Sequence, residues 1–174
     1  MSTPRTGCTT EILMTAMYSI RTELKPGDIG FITYLHGILH AREFGWDHRF
    51  ETYVAVPLAE VAQAGRPEER IWIVEAAEQV CGSIALVKRS ADVAQLRWFL
   101  LEPALRGRGI GRQLLELLLE FARAQDYRSI ELWTVTGLDA AAGLYRRYGF
   151  ELVEEKTGEP WGSTVTEQKF RLDI

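Results

Sequence analysis

The chain has 174 residues, 47% hydrophobic and 25% charged, the make-up of one folded domain rather than a disordered or fibrous chain. Its net charge of −4 argues against a general nucleic-acid-binding surface, and no apolar run reaches the roughly 18 residues of a membrane span. Residues 1–16 show weak periodicity and no signal-peptide stretch, and Cys8 and Cys81 form no C-x-x-C pair. The chain therefore reads as a single cytoplasmic domain, residues 1–174, with reduced thiols and a frayed start.

Tyr18 to Leu24 alternates as a strand does. The turn Lys25-Pro26-Gly27-Asp28 follows, with Asp28 placed to cap a helix. Phe31, Tyr34, Leu35, Ile38 and Leu39 recur at helical spacing up to Phe44, and Gly45 stops that helix. Asp47 is a cap for a second helix presenting Phe50, Tyr53, Val54, Leu58 and Val61, in which Pro57 predicts a kink or a break. After the loop Gly65-Arg66-Pro67, "RIWIVEA" and "QVCGSIALVKR" read as a hairpin turning near Glu78. "VAQLRWFLL", Val93 to Leu101, is apolar on both sides near its end, as a central strand is, and Pro103 closes it.

Ile110, Leu114, Leu117, Leu118 and Phe121 form the stripe of an amphipathic helix. "RSIELWTV" is a strand, and "DAAAGLYRRYGF" holds a short helix from Asp139 to Tyr148, ended by Gly149. "FELVEEK" and "TVTEQKFRLDI" form a closing antiparallel pair. The last strand, rich in Thr and Lys, is a candidate exposed edge for a homodimer. The order β, α, α, β, β, β, α, β, α, β, β predicts a mixed α/β sheet flanked by helices.

The chemistry concentrates between the central strand and the leucine-rich helix. Arg106-Gly107-Arg108-Gly109-Ile110-Gly111 places several backbone N–H groups at a helix start, where they lack intrahelical partners and carry the positive end of the dipole. Glycines let a phosphate reach that backbone, and Arg106, Arg108 and Arg112 add charge. No GxxxxGK precedes a Ser or Thr here, and the third glycine is misplaced for a dinucleotide-binding GxGxxG. The pattern points to a phosphate or pyrophosphate site of another kind.

"LRWFLLEPALRGRGIGRQLLE" resembles motif A of the GNAT acetyltransferase family, in the form Arg106-x-x-Gly109-x-Gly111. "DAAAGLYRRYGF" resembles that family's motif B, with Tyr145 and the terminal Gly149-Phe150. "GDIGFITYLHGILHAREFGWD" and "EKTGEPWG" are similar to the GNAT domain found joined to MarR-type winged-helix regulators, although no winged helix is present here. The resemblance implies a GNAT-type, mostly antiparallel sheet and direct transfer of an acetyl group from acetyl-CoA to an amine. It implies that the Arg106 to Gly111 amides, with Arg112 nearby, hold the pyrophosphate, and that Phe99, Leu100 and Leu101 pair with the pantetheine arm. An amide of Leu100 or Phe99 would bind the thioester oxygen. Tyr145 matches the family's general acid, against the alternative of a core aromatic. Where many members carry Asn seven residues before that tyrosine, this chain has Leu138, and the adjacent Asp139 reads as a helix cap.

No pattern fixes the general base. Glu102 at the end of the central strand is one candidate and Glu131 another, each acting through water, and each equally readable as a solvated rim carboxylate. His36 and His40 sit one helical turn apart, with no third ligand spaced for a metal. Their helix belongs to the part of the fold that lines the acceptor pocket, so Tyr34, His36 and His40, with Trp133, are candidate substrate-binding residues. The acceptor would be a small-molecule or peptide amine, with neither nucleic acid nor membrane as partner. A catalytically silent acyl-CoA-sensing or protein-interaction module is the alternative.

Overall fold

The structure, a computed structural model, describes residues 17–174; the readings of residues 1–16 and of Cys8 lie outside the described residues. The chain runs β1 (Tyr18–Arg21), α1 (Asp28–Phe44), α2 (His48–Ala64), β2 (Arg70–Ala76), β3 (Gln79–Lys88) and β4 (Val93–Leu101). A short 3-10 turn, Pro103–Leu105, leads into α3 (Ile110–Ala124). Then follow β5 (Ser129–Val135), α4 (Asp139–Arg147), β6 (Glu151–Gly158) and β7 (Val165–Asp173). The seven strands form one sheet in the order β1-β2-β3-β4-β5-β7-β6. Every pairing in it is antiparallel except β4 with β5. β4 is the middle strand, as its two-sided apolar end predicts.

Each face of the sheet carries its own core. On one face Ile110, Leu114, Leu115, Leu118 and Phe121 of α3, with Ala142 and Tyr145 of α4, cover Ile84, Leu86, Leu96, Ile130 and Leu132. On the other, Ile32, Leu35 and Leu39 of α1 and Phe50, Val54 and Leu58 of α2 cover Ile71, Ile73, Ala85, Trp98 and Leu100. Burial of each such side chain contributes about 1.5–3 kcal/mol, so the sheet is held from both sides. In α3 the buried stripe is wider than the predicted one: Leu115 and Leu119 are inside and Leu117 is half-buried.

Several local expectations need correction. β1 stops at Arg21, and Leu24 is exposed. Asp28 is not the cap of α1: Gly27 is, in a left-handed conformation (φ 99°). The buried Asp28 carboxylate instead accepts two bonds of 2.8 Å from Arg21, whose Nε reaches Glu75 at 2.6 Å. One guanidinium thereby ties β1, α1 and β2 together. Asp47 does cap α2, accepting from Arg49 N–H at 3.0 Å. α2 continues through Pro57 without a break. Asp139 is the first residue of α4, whose cap is Leu138; an acid there complements the helix dipole without capping. β7 is not an edge: it lies between β5 and β6, and the edge on that side of the sheet is β6, exposed at every residue.

Candidate active site

The site is opened by an irregularity in β4. The β3–β4 ladder pairs Ser83 with Leu100 but Ala85 with Arg97, so Trp98 and Phe99 together face Ile84. This is a β-bulge. Trp98 sits at φ 48°, a left-handed conformation that a bulky residue adopts only under constraint. The constraint is visible: Ser83 Oγ donates to the Trp98 carbonyl at 2.6 Å in a buried position. Ser83→Ala would leave that carbonyl without its partner, and the expected cost is about 1–3 kcal/mol in denaturant unfolding. A loss below about 0.5 kcal/mol would mean that something else holds the bulge.

The bulge has two consequences. First, Leu96 and Phe99 both face α3 and α4, while Trp98 and Leu100 face α1 and α2. Second, β4 and β5 part company. Their parallel pairing runs from Val93–Ser129 only to Leu96–Leu132, and beyond it the strands leave a gap. That gap is a cleft of about 1100 Å³, lined among others by Arg97 to Leu101, Trp133 to Val135, and residues of all four helices.

Backbone groups face this gap. Glu102 N–H donates to Cys81 O of β3 at 2.8 Å. Strand alternation then turns Leu100 toward β3 as well and leaves the Phe99 and Leu101 amides directed to the gap. Of the two predicted thioester donors, Phe99 fits this geometry and Leu100 does not. The Leu101 carbonyl is already engaged by Arg106 Nε at 3.0 Å.

At the far end of the cleft lies the glycine turn. Gly107 and Gly109 adopt φ 75° and 81°, conformations that disfavour a side chain. The first helical bond of α3 is Gln113 N–H to Gly109 O at 3.1 Å, so the Ile110, Gly111 and Arg112 amides precede it and open the helix. A Cβ on Gly111 would meet Phe99 Cζ at 3.4 Å, so this glycine lets the helix start approach β4 closely. The side chains divide differently from the sequence expectation. Arg106 N–H is used by Pro103 O at 3.2 Å, and its guanidinium pairs with Glu43 of α1 at 2.8 Å. Arg108 lies over the Tyr18 ring, outside the cleft lining. Ile110 is fully buried and offers only its amide. Arg112 is exposed and lines the cleft.

Tyr145 projects from α4 into the same half, its ring 6.2 Å from that of Phe99. Tyr145 is 4% exposed and lines the cleft, and burial pushes its phenol well above its ordinary range. Glu102 does not line the cleft; burial raises its carboxyl pKa while Arg106 and Arg42 pull it down. Glu131 is held by Lys169 at 2.9 Å and Arg171 at 3.5 Å, also outside the lining.

The other half of the cleft, under α1 and α2, is aromatic. His36, His40, Phe44, Trp46, Phe50 and Tyr53 line it with Trp161. His36 Nδ1 contacts Ile32 O and His40 Nδ1 contacts His36 O, both at 2.8 Å. A carbonyl only accepts, so both rings carry the proton on Nδ1 and leave Nε2 as a lone pair. Burial lowers both imidazole pKa values, that of His36 to about 4. The unfolded chain, titrating near 6.5, takes up a proton that the fold resists. Stability is therefore full above about pH 6.5 and falls by roughly 3 kcal/mol as pH drops to about 4, a slope that denaturant unfolding across that range reads directly. Among the other substrate candidates, Trp133 lines the cleft beneath Lys156, whose Nζ is 4.4 Å from the ring centroid. Tyr34 does not: it is 55% exposed, away from the lining.

The model of the Acetyltransferase (GNAT) family matches residues 29–150, from α1 to the residue after the α4 turn. The chain belongs to the GNAT family. Among curated relatives, the Escherichia coli protein named as the uncharacterized N-acetyltransferase YjgM is 29% identical over 96 residues, 53% of this chain and 58% of that protein. The N-alpha-acetyltransferase RimI of Mycobacterium tuberculosis is 50% identical over 52 residues, 30% of this chain and 31% of that one. The matches thus span only part of those relatives. A Salmonella typhimurium protein solved with its cofactor acetyl-CoA has the same fold, with TM-score 0.70 and 19% identity over 90% of this chain and 93% of that one. So does an N-acetyltransferase from Staphylococcus aureus, with TM-score 0.72 and 20% identity over 90% and 98%.

Sequence reasoning missed three groups of this GNAT site. Ser83 sits in an apolar run and gives no signal of its own. Arg97 is the one charge in "VAQLRWFLL", which is a signal that can be read. Trp161, from the loop before β7, joins the aromatic wall 4.4 Å from Trp46, a contact that no local pattern announces.

Proposed function

We propose that the chain is an acyltransferase that moves the acetyl group of acetyl-CoA directly to a primary amine in a ternary complex. The reading is carried by one observation: the β4–β5 gap joins unengaged strand amides at its centre to the open amides of α3 at its end. The Gly107, Gly109, Gly111 and Arg112 segment is suited to the pyrophosphate, where helix-start amides meet negative charge. Phe99 and Leu101 are suited to pair with the pantetheine arm as an added strand. Acetyl-CoA, when bound, supplies an activated thioester carbonyl.

The chain's own groups do the rest. The Phe99 amide donates to the thioester oxygen as negative charge gathers there, a contact of the kind that contributes about 3 kcal/mol. The acceptor nitrogen forms its bond to the carbonyl carbon and the C–S bond breaks, its electron pair going to sulfur. Tyr145, protonated throughout the neutral range, gives its proton to that sulfur. The proton lost by the attacking amine is taken up through water by Glu102 at the end of β4, whose carboxyl pKa burial raises.

A peptide amine and a small-molecule amine both fit this chemistry. A cytoplasmic place of action goes with the reading of Cys8 and Cys81 as reduced thiols; among the described residues no helix is long and apolar enough to cross a membrane. Thiol release from acetyl-CoA across a panel of amines tests the reaction. Release that depends on one amine class supports it, and tight acetyl-CoA binding without release for every class would leave a sensing module instead.

A further inference from the structure

Arg97 immediately precedes the bulge and lines the cleft, half-buried, on the α1/α2 face. Its guanidinium lies 5.5 Å from the Tyr53 ring centroid and 5.0 Å from that of Trp98. Of the other arginines of the cleft, Arg106 has Glu43 and Arg112 has Glu116, while Arg147, the last residue of α4, is exposed to solvent. Arg97 has no carboxylate partner among the described residues. The charged or ionisable groups that act on it are Tyr53, whose neutral hydroxyl accepts a hydrogen bond from it, and Arg89, another cation. None of the acids lining the same cleft pairs with it: Glu43 is held by Arg106, Glu167 by Lys156 at 3.2 Å, and Asp139 stands at the start of α4.

A half-buried guanidinium with no counter-ion is an unfavourable arrangement by itself. Burial, aided by Arg89, already pulls its pKa below the usual range. The Trp98 ring beside it holds its indole Nε1 buried without a hydrogen-bond partner. A cleft-lining guanidinium that meets one neutral hydroxyl and no carboxylate is completed by an anionic ligand, and the planar fork of arginine matches a carboxylate. The rest of this half, Trp46, Phe50 and Trp161, offers apolar surface.

We propose that Arg97 anchors a carboxylate carried by the acceptor, so that the acceptor is an amino-acid-like amine with an apolar side chain. The inference rests on the acetyl-transfer reading and narrows its substrate class. Spacing supports a compact acceptor. Arg97 is two residues from Phe99, whose amide is suited to the thioester oxygen, and two residues of strand span at most about 7 Å. A carboxylate held at Arg97 and an amine held at the thioester therefore share one part of the cleft, within reach of one small molecule.

The test compares L-phenylalanine, L-methionine and L-leucine with phenylalaninamide and phenethylamine as acceptors, reading thiol release from acetyl-CoA. The acids are expected to exceed the neutral-tailed amines by about 10–100-fold in kcat/KM, the range of a charge-assisted pair. Arg97→Gln should collapse that ratio toward one, and Arg97→Lys should restore part of it, while calorimetry shows acetyl-CoA affinity retained. Binding of L-phenylalanine to the CoA-loaded protein, lost in Arg97→Gln, gives the same answer without turnover. Phenethylamine used as well as phenylalanine, an equal loss for acids and amines in Arg97→Gln, or no acid bound or acetylated by a protein that binds CoA would each overturn the assignment. Failure to bind acetyl-CoA at all would instead remove the parent reading.

Discussion

Gly109→Glu is expected to abolish acetyl-CoA binding while the protein stays folded. Gly109 stands at φ 81°, and a Cβ built there meets nothing within 4 Å, so a side chain has room and only the backbone conformation resists it. That strain costs about 1–2 kcal/mol, which a domain with two cores can absorb. The glutamate carboxylate, however, would sit where the α3 amides are open, occupying the helix start with its own negative charge. Affinity measured by calorimetry should fall by more than about 10²-fold, with the far-UV circular dichroism unchanged. Gly109→Ala separates the two effects: it carries the same strain without charge and should keep most of the affinity. If Gly109→Glu binds acetyl-CoA as the parent does, the glycine turn is not the pyrophosphate site.

Tyr145→Phe should lower turnover by roughly 10²–10⁴-fold with acetyl-CoA affinity kept. The Tyr145 ring packs among Phe99, Phe150 and Phe170, with centroids 5.8–6.2 Å apart, and phenylalanine preserves those contacts. Its hydroxyl makes no hydrogen bond to another described residue, so removing it is expected to change stability by less than about 1 kcal/mol. Burial raises its pKa, which has a further consequence: the acid should not titrate in the neutral and mildly alkaline range, and the parent's kcat should show no loss from this group there. Turnover unchanged in Tyr145→Phe, or lost only in step with stability, would make Tyr145 a packing residue.

The order of elements was legible because most of it rests on pattern. Alternating runs became β2 to β5, and the stripe from Ile110 to Phe121 became α3. Even the hairpin turn at Ala77 and Glu78 was locatable from its flanking runs, although both residues take left-handed conformations (φ 49° and 61°) without a glycine. What stayed hidden depends on tertiary constraint. Trp98 gives no sign of a bulge, because the conformation is imposed by Ser83 from the neighbouring strand. Asp28 looked like a cap because local rules favour it there, but a distant arginine took its carboxylate. β7 looked like an edge because its composition suits one, yet the chain order placed β6 outside it.

The cofactor half was read through backbone chemistry, which glycines and a helix start announce in sequence. The acceptor half was read only in part: His36, His40 and Trp133 line the cleft, but Phe50, Tyr53, Arg97 and Trp161 join it from α2, β4 and the loop before β7. Tyr34 and Glu102 show the limit: helical spacing and strand position suggest a neighbourhood, but the side-chain direction is set by packing.

The most direct measurement is a calorimetric titration of the protein with acetyl-CoA and, separately, with free CoA. Both are expected to bind in the micromolar range, because the pyrophosphate and pantetheine contacts are common to the two. No heat of binding up to millimolar concentrations of either would contradict this, and the glycine turn and the β4–β5 gap would then be architecture alone.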